Sequence, residues 1–407
     1  MKNFIIKGSG NGFMAARLGL AMSLLVLLAA LPVLSQEDPC PENKNHTGYK
    51  EFTDGGVTRE YILYVPASYD ENNPTPLLIN YHGWGDCAAD WSETVGEYYK
   101  LNSLADSENF IVVYPQGVVR EKEAPEWDPG DDGSQNMNDN DNYFTAQLIA
   151  DIKEEYNVDL KRVYATGYSN GGMMCYGLAD NLCDQIAAVG IMSGAMFSTP
   201  ENINEYTPLI IFHGIADDVL PYEGNQWYLS ASEVVNFWIY HNNIPSSSLV
   251  TTQLNGGDVV RDEYTGGSES TSVALYTVHK EYGKPGGHVW FSADMDGTNP
   301  NKILWDFLSK YDLDGLIGNT AINNGKLVGP GGNTVYLKLT AKSILLETNF
   351  SENTNYKIFS LKGKKLLEGI VHSKKQIINV SHLSPNVYFL KIKNQIVKIN
   401  FVQLPGR

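Results

Sequence analysis

Basic side chains are scarce: 30 Lys and Arg stand against 47 Asp and Glu in 407 residues, a formal net charge of −17. The deficit is concentrated, because residues 36–316 hold 14 basic against 44 acidic side chains while residues 317–407 hold 13 against 3. So acidic a first unit repels nucleic acid and anionic membrane and leaves neutral polymers as partners. Cysteine is sparse too. Cys40, Cys87, Cys175 and Cys183 are too few for a disulfide-dense scaffold, and none of their spacings is that of a zinc site. Three disulfide pairings are open; nearness in sequence favours Cys175 with Cys183, which leaves Cys40 to join Cys87. Long apolar runs are absent after residue 34. The one run, Leu18 to Leu34, follows Lys2, Lys7 and Arg17, contains Pro32, and has Ala29, Ala30 and Ser35 as small residues for cleavage. Residues 1–35 therefore read as an export signal rather than a membrane span.

What is present points to acyl chemistry. The apolar strand pattern Arg162-Val163-Tyr164-Ala165-Thr166 runs into Gly167-Tyr168-Ser169-Asn170-Gly171, and residues 172–179 can open a helix. A serine with glycines two positions to either side, between strand and helix, is the pattern of a nucleophile elbow, whose strained turn needs small neighbours. Ser169 is the candidate nucleophile. A serine hydroxyl is weak at neutral pH and requires a base, itself oriented by an acid. Downstream, the strand Pro208–Phe212 leads into His213-Gly214-Ile215-Ala216-Asp217-Asp218, which places Asp217 or its neighbour Asp218 on a loop as the acid. The strand Ser272–Val278 precedes Gly286-Gly287-His288-Val289-Trp290, which makes His288 the candidate base. The order Ser, Asp, His is that of α/β-hydrolases. Oxyanion donors are expected from the Asn170 amide and from that of Trp84, in His82-Gly83-Trp84-Gly85 after the apolar strand Leu77–Tyr81. These patterns predict an α/β fold with a mostly parallel central sheet.

Together, His82-Gly83-Trp84-Gly85, Gly167-Tyr168-Ser169-Asn170-Gly171-Gly172, His213-Gly214-Ile215-Ala216-Asp217 and Gly287-His288-Val289-Trp290 resemble one family over roughly residues 48–311. It is that of the secreted polyhydroxybutyrate-depolymerase-like esterases, similar to the feruloyl and acetylxylan esterases of carbohydrate esterase family one. The resemblance implies an α/β-hydrolase fold, hydrolysis of carboxylic esters and no cofactor; from the cysteine spacings no metal is expected. It carries the nucleophile onto Ser169, the acid onto Asp217 and the base onto His288; Asp218 is a departure, since many members place a proline there. Feruloyl or acetyl esters of plant cell-wall polysaccharide such as xylan are the preferred substrates. Polyester depolymerisation is the alternative, and a non-catalytic carbohydrate-binding protein on a hydrolase scaffold is a third reading.

From Val335 onward the chain alternates like short strands, which predicts a small all-β sandwich over 334–407 after a Gly-rich linker, 315–333, with the esterase unit at 36–314. The stretches Tyr356–Lys364 and Leu383–Lys391 resemble the C-terminal sorting domain of type IX secretion substrates. That resemblance implies the type IX machinery as a partner and a secreted or surface location; a monomer is expected. A loop rich in Asp, Asn and Gly, residues 121–142, reads as a solvated acidic segment, because its ligand spacing is not that of an EF-hand. Trp127 in that loop and Trp290 beside His288 are candidate substrate-binding residues.

Overall fold

The computed structural model describes residues 38–120, 124–200, 206–279 and 287–317, and the strands of the C-terminal part between 327 and 401. The expected export signal, 1–35, lies outside the described residues. Among those described, no helix is long and apolar enough to cross a membrane.

Ten strands form one sheet: β1 Tyr49–Asp54, β2 Val57–Tyr64, β3 Thr75–Tyr81, β4 Ile111–Pro115, β5 Val158–Tyr168, β6 Ala188–Met192, β7 Leu209–Gly214, β8 Val250–Leu254, β9 Val259–Tyr264 and β10 Val273–Val278. Their order is β1-β2-β4-β3-β5-β6-β7-β10-β9-β8. The inner strands from β4 to β10 run parallel, and antiparallel strands finish both edges. Parallel strands are covered on both faces, which is why β3, β4, β6 and β7 are buried throughout. The period of two sorts their side chains: Leu77, Ile79 and Tyr81 join one core, whereas Leu78 joins the other. Helices α1 Ala88–Trp91, α2 Leu101–Glu108, α3 Asp141–Glu155, α4 Asn170–Asn181, α5 Ala231–His241 and α6 Pro300–Leu308 cover the two faces. Residues of α3, α4 and α5 close the first core, and those of α1, α2 and α6 the second. This is the α/β-hydrolase fold.

The acidic loop is drawn inward by one buried carboxylate. Asp141, at the first turn of α3, pairs with Arg59 at 3.2 Å and with Arg120 at 2.8 Å, and it accepts a hydrogen bond from Asp128 N–H. Arg59 also donates to the carbonyls of Gln116 and Met137 and lies 3.7 Å over the Phe144 ring. Other loop carboxylates cap their own turns: Asp128, Asp131 and Asp132 accept from the amides of Gly130, Gly133 and Ser134.

Cys40 and Cys87 form a disulfide. The expected second bridge does not form. Cys175 lies in α4 with its side chain wholly buried in the core, and eight residues of largely helical chain carry Cys183 about 12 Å along, beyond disulfide reach.

The expected linker is shorter at both ends than 315–333. Gly315–Leu316 pairs with Tyr311–Asp312, and this turn is tied to β5 by Leu313 N–H on the Lys161 carbonyl and by the Lys161–Asp314 ion pair. At the other end Leu327–Val328 pairs with Thr334 and Val335. Beyond it, two four-stranded sheets share a core that includes Ile344, Leu346, Ile358, Ile378, Leu390 and Ile392, which makes a small sandwich. Replacing Asp141 by Asn leaves Arg59 buried without its counter-charge; the expected cost is about 3–5 kcal/mol in urea unfolding, with faster proteolysis in 124–140.

Candidate active site

The turn from β5 to α4 carries Ser169 in a left-handed conformation, φ 55° and ψ −118°. Two glycines make it possible: a Cβ on Gly167 would lie 2.3 Å from the Gly171 carbonyl oxygen, and one on Gly171 would lie 2.3 Å from that of Tyr81. The serine amide is held by the Met192 carbonyl at 3.0 Å, and its own carbonyl accepts from Met173 N–H. Its hydroxyl thus stands at the C-terminal edge of the parallel strands.

Ser169, His288 and Asp217 meet there. Ser169 Oγ–H donates to His288 Nε2 at 2.9 Å, and His288 Nδ1–H donates to Asp217 Oδ2 at 2.8 Å. Asp217 is buried after β7, and its Oδ1 accepts from Val219 and Leu220 N–H at 3.0 and 2.8 Å. Burial pushes this carboxyl up, but hydrogen bonds from His213, His288 and Leu220 N–H outweigh it and hold the group well below the usual carboxylate range. The His213 contact is long, 3.4 Å, because its Nε2–H donates chiefly to the Leu220 carbonyl at 2.8 Å. Asp218 is exposed. The segment bearing His288 is tethered at two points: Tyr168 Oη donates to the His288 carbonyl, and Ser193 Oγ to that of Val289, both at 3.0 Å. Neither tether is visible in the sequence, although Tyr168 lies inside the elbow motif.

The oxyanion candidates share one scaffold. His82 is wholly buried; its Nδ1–H donates to the Gly83 carbonyl at 2.7 Å, and its Nε2 accepts from Gly117 N–H at 3.0 Å. The Gly83 carbonyl and Trp84 N–H belong to one planar trans peptide, so a grip on the carbonyl fixes the opposite direction for the amide. Gly83 N–H and Gly85 N–H are engaged by Asp86 and by the Pro125 carbonyl. Trp84 itself is 51% exposed. Trp127, expected on the surface as a substrate platform, is 3% exposed because Asp141 draws its loop inward. Its indole N–H donates to the His82 carbonyl at 3.0 Å, and its backbone is clamped by the Asn170 side chain, which accepts from Trp127 N–H at 2.7 Å and donates to its carbonyl at 2.9 Å. Trp127 therefore braces both donor segments instead of offering a face to ligand. Trp290 is likewise buried, with its indole N–H on Asn301.

Two unlike flanks border the triad. Toward Asp217, Met173, Ala195, Leu220 and Tyr228 form an apolar cluster, and Phe197, in ring contact with Tyr228, is exposed beside it. Toward His288 a cleft of about 280 Å³ opens, bordered by Asp86 and Asp90.

Burial pushes the His82 imidazole down to about 4. Its folded value lies below the unfolded one, so the unfolded chain binds more protons between pH 6.5 and 4 and acid destabilises the fold. Urea unfolding at pH 7 and pH 4 is expected to show a His82-dependent loss on the order of 3 kcal/mol, which a His82→Asn variant lacks.

Residues 59–206 match the family model for esterase PHB depolymerase, and residues 333–400 match that for a secretion system C-terminal sorting domain. The bifunctional acetylxylan esterase/xylanase XynS20E of Neocallimastix patriciarum is 31% identical over 284 residues, which cover 69% of this chain and 36% of that protein. The chain thus spans about a third of that relative's length. Probable feruloyl esterase C of Aspergillus niger is 26% identical over 288 residues, 70% of this chain and 96% of its own length. Among solved structures, an acetyl xylan esterase from Aspergillus awamori is 16% identical with a TM-score of 0.46, over 64% of this chain and 98% of that one. Residues 59–206 are thus similar to the esterase PHB depolymerase family, and residues 333–400 to a secretion-system C-terminal sorting domain.

Proposed function

We propose that this chain is an exported serine esterase that removes feruloyl or acetyl groups from plant cell-wall polysaccharide. The hydrogen-bonded series Ser169–His288–Asp217, set on a strained elbow, carries the reading. His288 takes the Ser169 proton as the hydroxyl attacks the ester carbonyl; Asp217 holds the imidazole in the required tautomer and stabilises its charged form. The amides of Trp84 and Asn170 receive the oxyanion. His288 then protonates the departing alcohol, and water resolves the acyl-enzyme by the same route.

The relatives named acetylxylan esterase and feruloyl esterase support a polysaccharide ester as substrate. The family's own name keeps aliphatic polyester as a second reading. Residues 1–35 and the sorting domain give the route out of the cell, by way of the type IX machinery, to the surface or the medium.

Purified full chain assayed on methyl ferulate, acetylated xylan and a polyhydroxybutyrate film separates these readings. Ferulate or acetate release supports the cell-wall ester, clearing of the film supports the polyester, and silence on all three refutes both. Ser169→Ala is expected to lower turnover by at least about a thousandfold with folding intact. Asp217→Asn is expected to cost about 10⁴-fold in kcat, against little change for Asp218→Asn; the reverse ranking removes Asp217 from the acid's role.

A further inference from the structure

The cleft beside His288 lies on a definite side of the ester. In acyl transfer the imidazole hands its proton to the leaving alcohol, so that alcohol sits against the imidazole, while the carbonyl oxygen turns toward the oxyanion amides. Among the residues that border the cleft are Asp86, Asp90, Trp91, Tyr168, His288 and Trp290, with Tyr168 stacked on Trp91 at a centroid distance of 5.5 Å and Trp91 edge-on to Trp290 at 5.7 Å. Ser169, Trp84 and Asn170 do not border it. The alcohol half of the substrate is therefore the half that meets this cleft.

We propose that the cleft is the subsite for the leaving alcohol and that Asp86 and Asp90 make it select neutral, hydroxyl-rich alcohols, sugar residues in particular, over anionic ones. The assignment rests on the serine-esterase reading above. A carboxylate only accepts hydrogen bonds, and a sugar hydroxyl supplies the donor; the half-buried Tyr99 and Tyr168 also border the cleft. A carboxylate on the alcohol meets two like charges, the half-buried Asp86, where screening is weaker than in bulk water, and the exposed Asp90. None of the bordering residues named is a Lys or Arg that offsets them. Burial and the Asp90 charge push the Asp86 carboxyl up, which reflects the same crowding of negative charge. Asp86 also accepts from Gly83 N–H at 3.2 Å, and an Asn in its place keeps an acceptor for that amide.

The test uses one acyl group carried by methanol, by a neutral pentoside and by a uronic acid, assayed with the full chain and with an Asp86→Asn, Asp90→Asn double variant. The readout is the ratio of kcat/KM for pentoside over uronate, because damage common to the triad or the oxyanion loop cancels in it. The native chain is expected to favour the pentoside by about tenfold or more, the scale of a screened like-charge contact, and the variant to approach a ratio of one. A native ratio near one, or a ratio that the double variant leaves unchanged, overturns the subsite while the esterase reading stands. A native chain that cleaves none of the three esters overturns both.

Discussion

The site depends on one close approach of backbone to backbone. Helix α4 begins directly beneath the end of β3, where Gly171 has room for no side chain between itself and the carbonyls of Tyr81 and His82. That contact forces Ser169 into its positive-φ turn, at a strain of about 1–3 kcal/mol. Burial offsets it: Met173, Met174, Cys175, Tyr176 and Leu178 of α4 are all packed away from water. Because β3, β5, β6, β7 and β10 are parallel neighbours, their C-terminal ends deliver His82, Ser169, Ser193 and Asp217 to the same edge, and the chain after β10 brings His288.

The parts of this arrangement that were readable in the sequence are those with a local signature. The elbow announces itself because strand, glycine, serine and glycine are contiguous, and the parallel strands do so because buried strands are apolar throughout. The choice between Asp217 and Asp218 had no such signature. It is made by the two amides that grip Asp217 Oδ1 and by the position of His288, both products of the folded loop. Trp127 misled for the opposite reason. Its neighbours Glu126, Asp128, Asp131 and Asp132 read as solvent-facing, yet Asp141, fourteen residues on, pulls the segment under the loop of His82 to Gly85 through the Asp128 amide, held in turn by Arg120 and the distant Arg59. Cys175 and Cys183 looked close because sequence distance ignores the rise of a helix.

The two flanks of the triad differ as the two halves of an ester differ. The cluster of Met173, Ala195, Leu220 and Tyr228 is joined to Ser169 and Asp217 by hydrogen bonds: Met173 N–H bonds the Ser169 carbonyl, and Leu220 N–H bonds Asp217. An apolar acyl chain or ring loses water on that side. The carboxylate-lined cleft on the other side rewards hydrogen-bond donors and leaves an apolar alcohol without a partner for either charge. Under the proposed esterase reading, the polarity of the pair fits an ester whose alcohol is a sugar better than one whose two halves are both aliphatic.

Charges select best where they cannot move freely, and the segment that holds the half-buried Asp86 and the exposed Asp90 is stiff for identifiable reasons. Cys87, next to Asp86, is bonded to Cys40. Asn43, three residues beyond Cys40, is buried and accepts from Ala89 N–H at 2.9 Å, while Gln116 accepts from Ala88 N–H and from Asn43 Nδ2 at 2.8 Å. Trp91 is fixed in turn by Asn80. The first turn of α1 is thereby tied to the N-terminal segment, to β3 and to the residue after β4. The bridge that survives from the two expected is the one that stands behind this segment, so the disulfide stabilises the spacing of the two carboxylates as well as the fold.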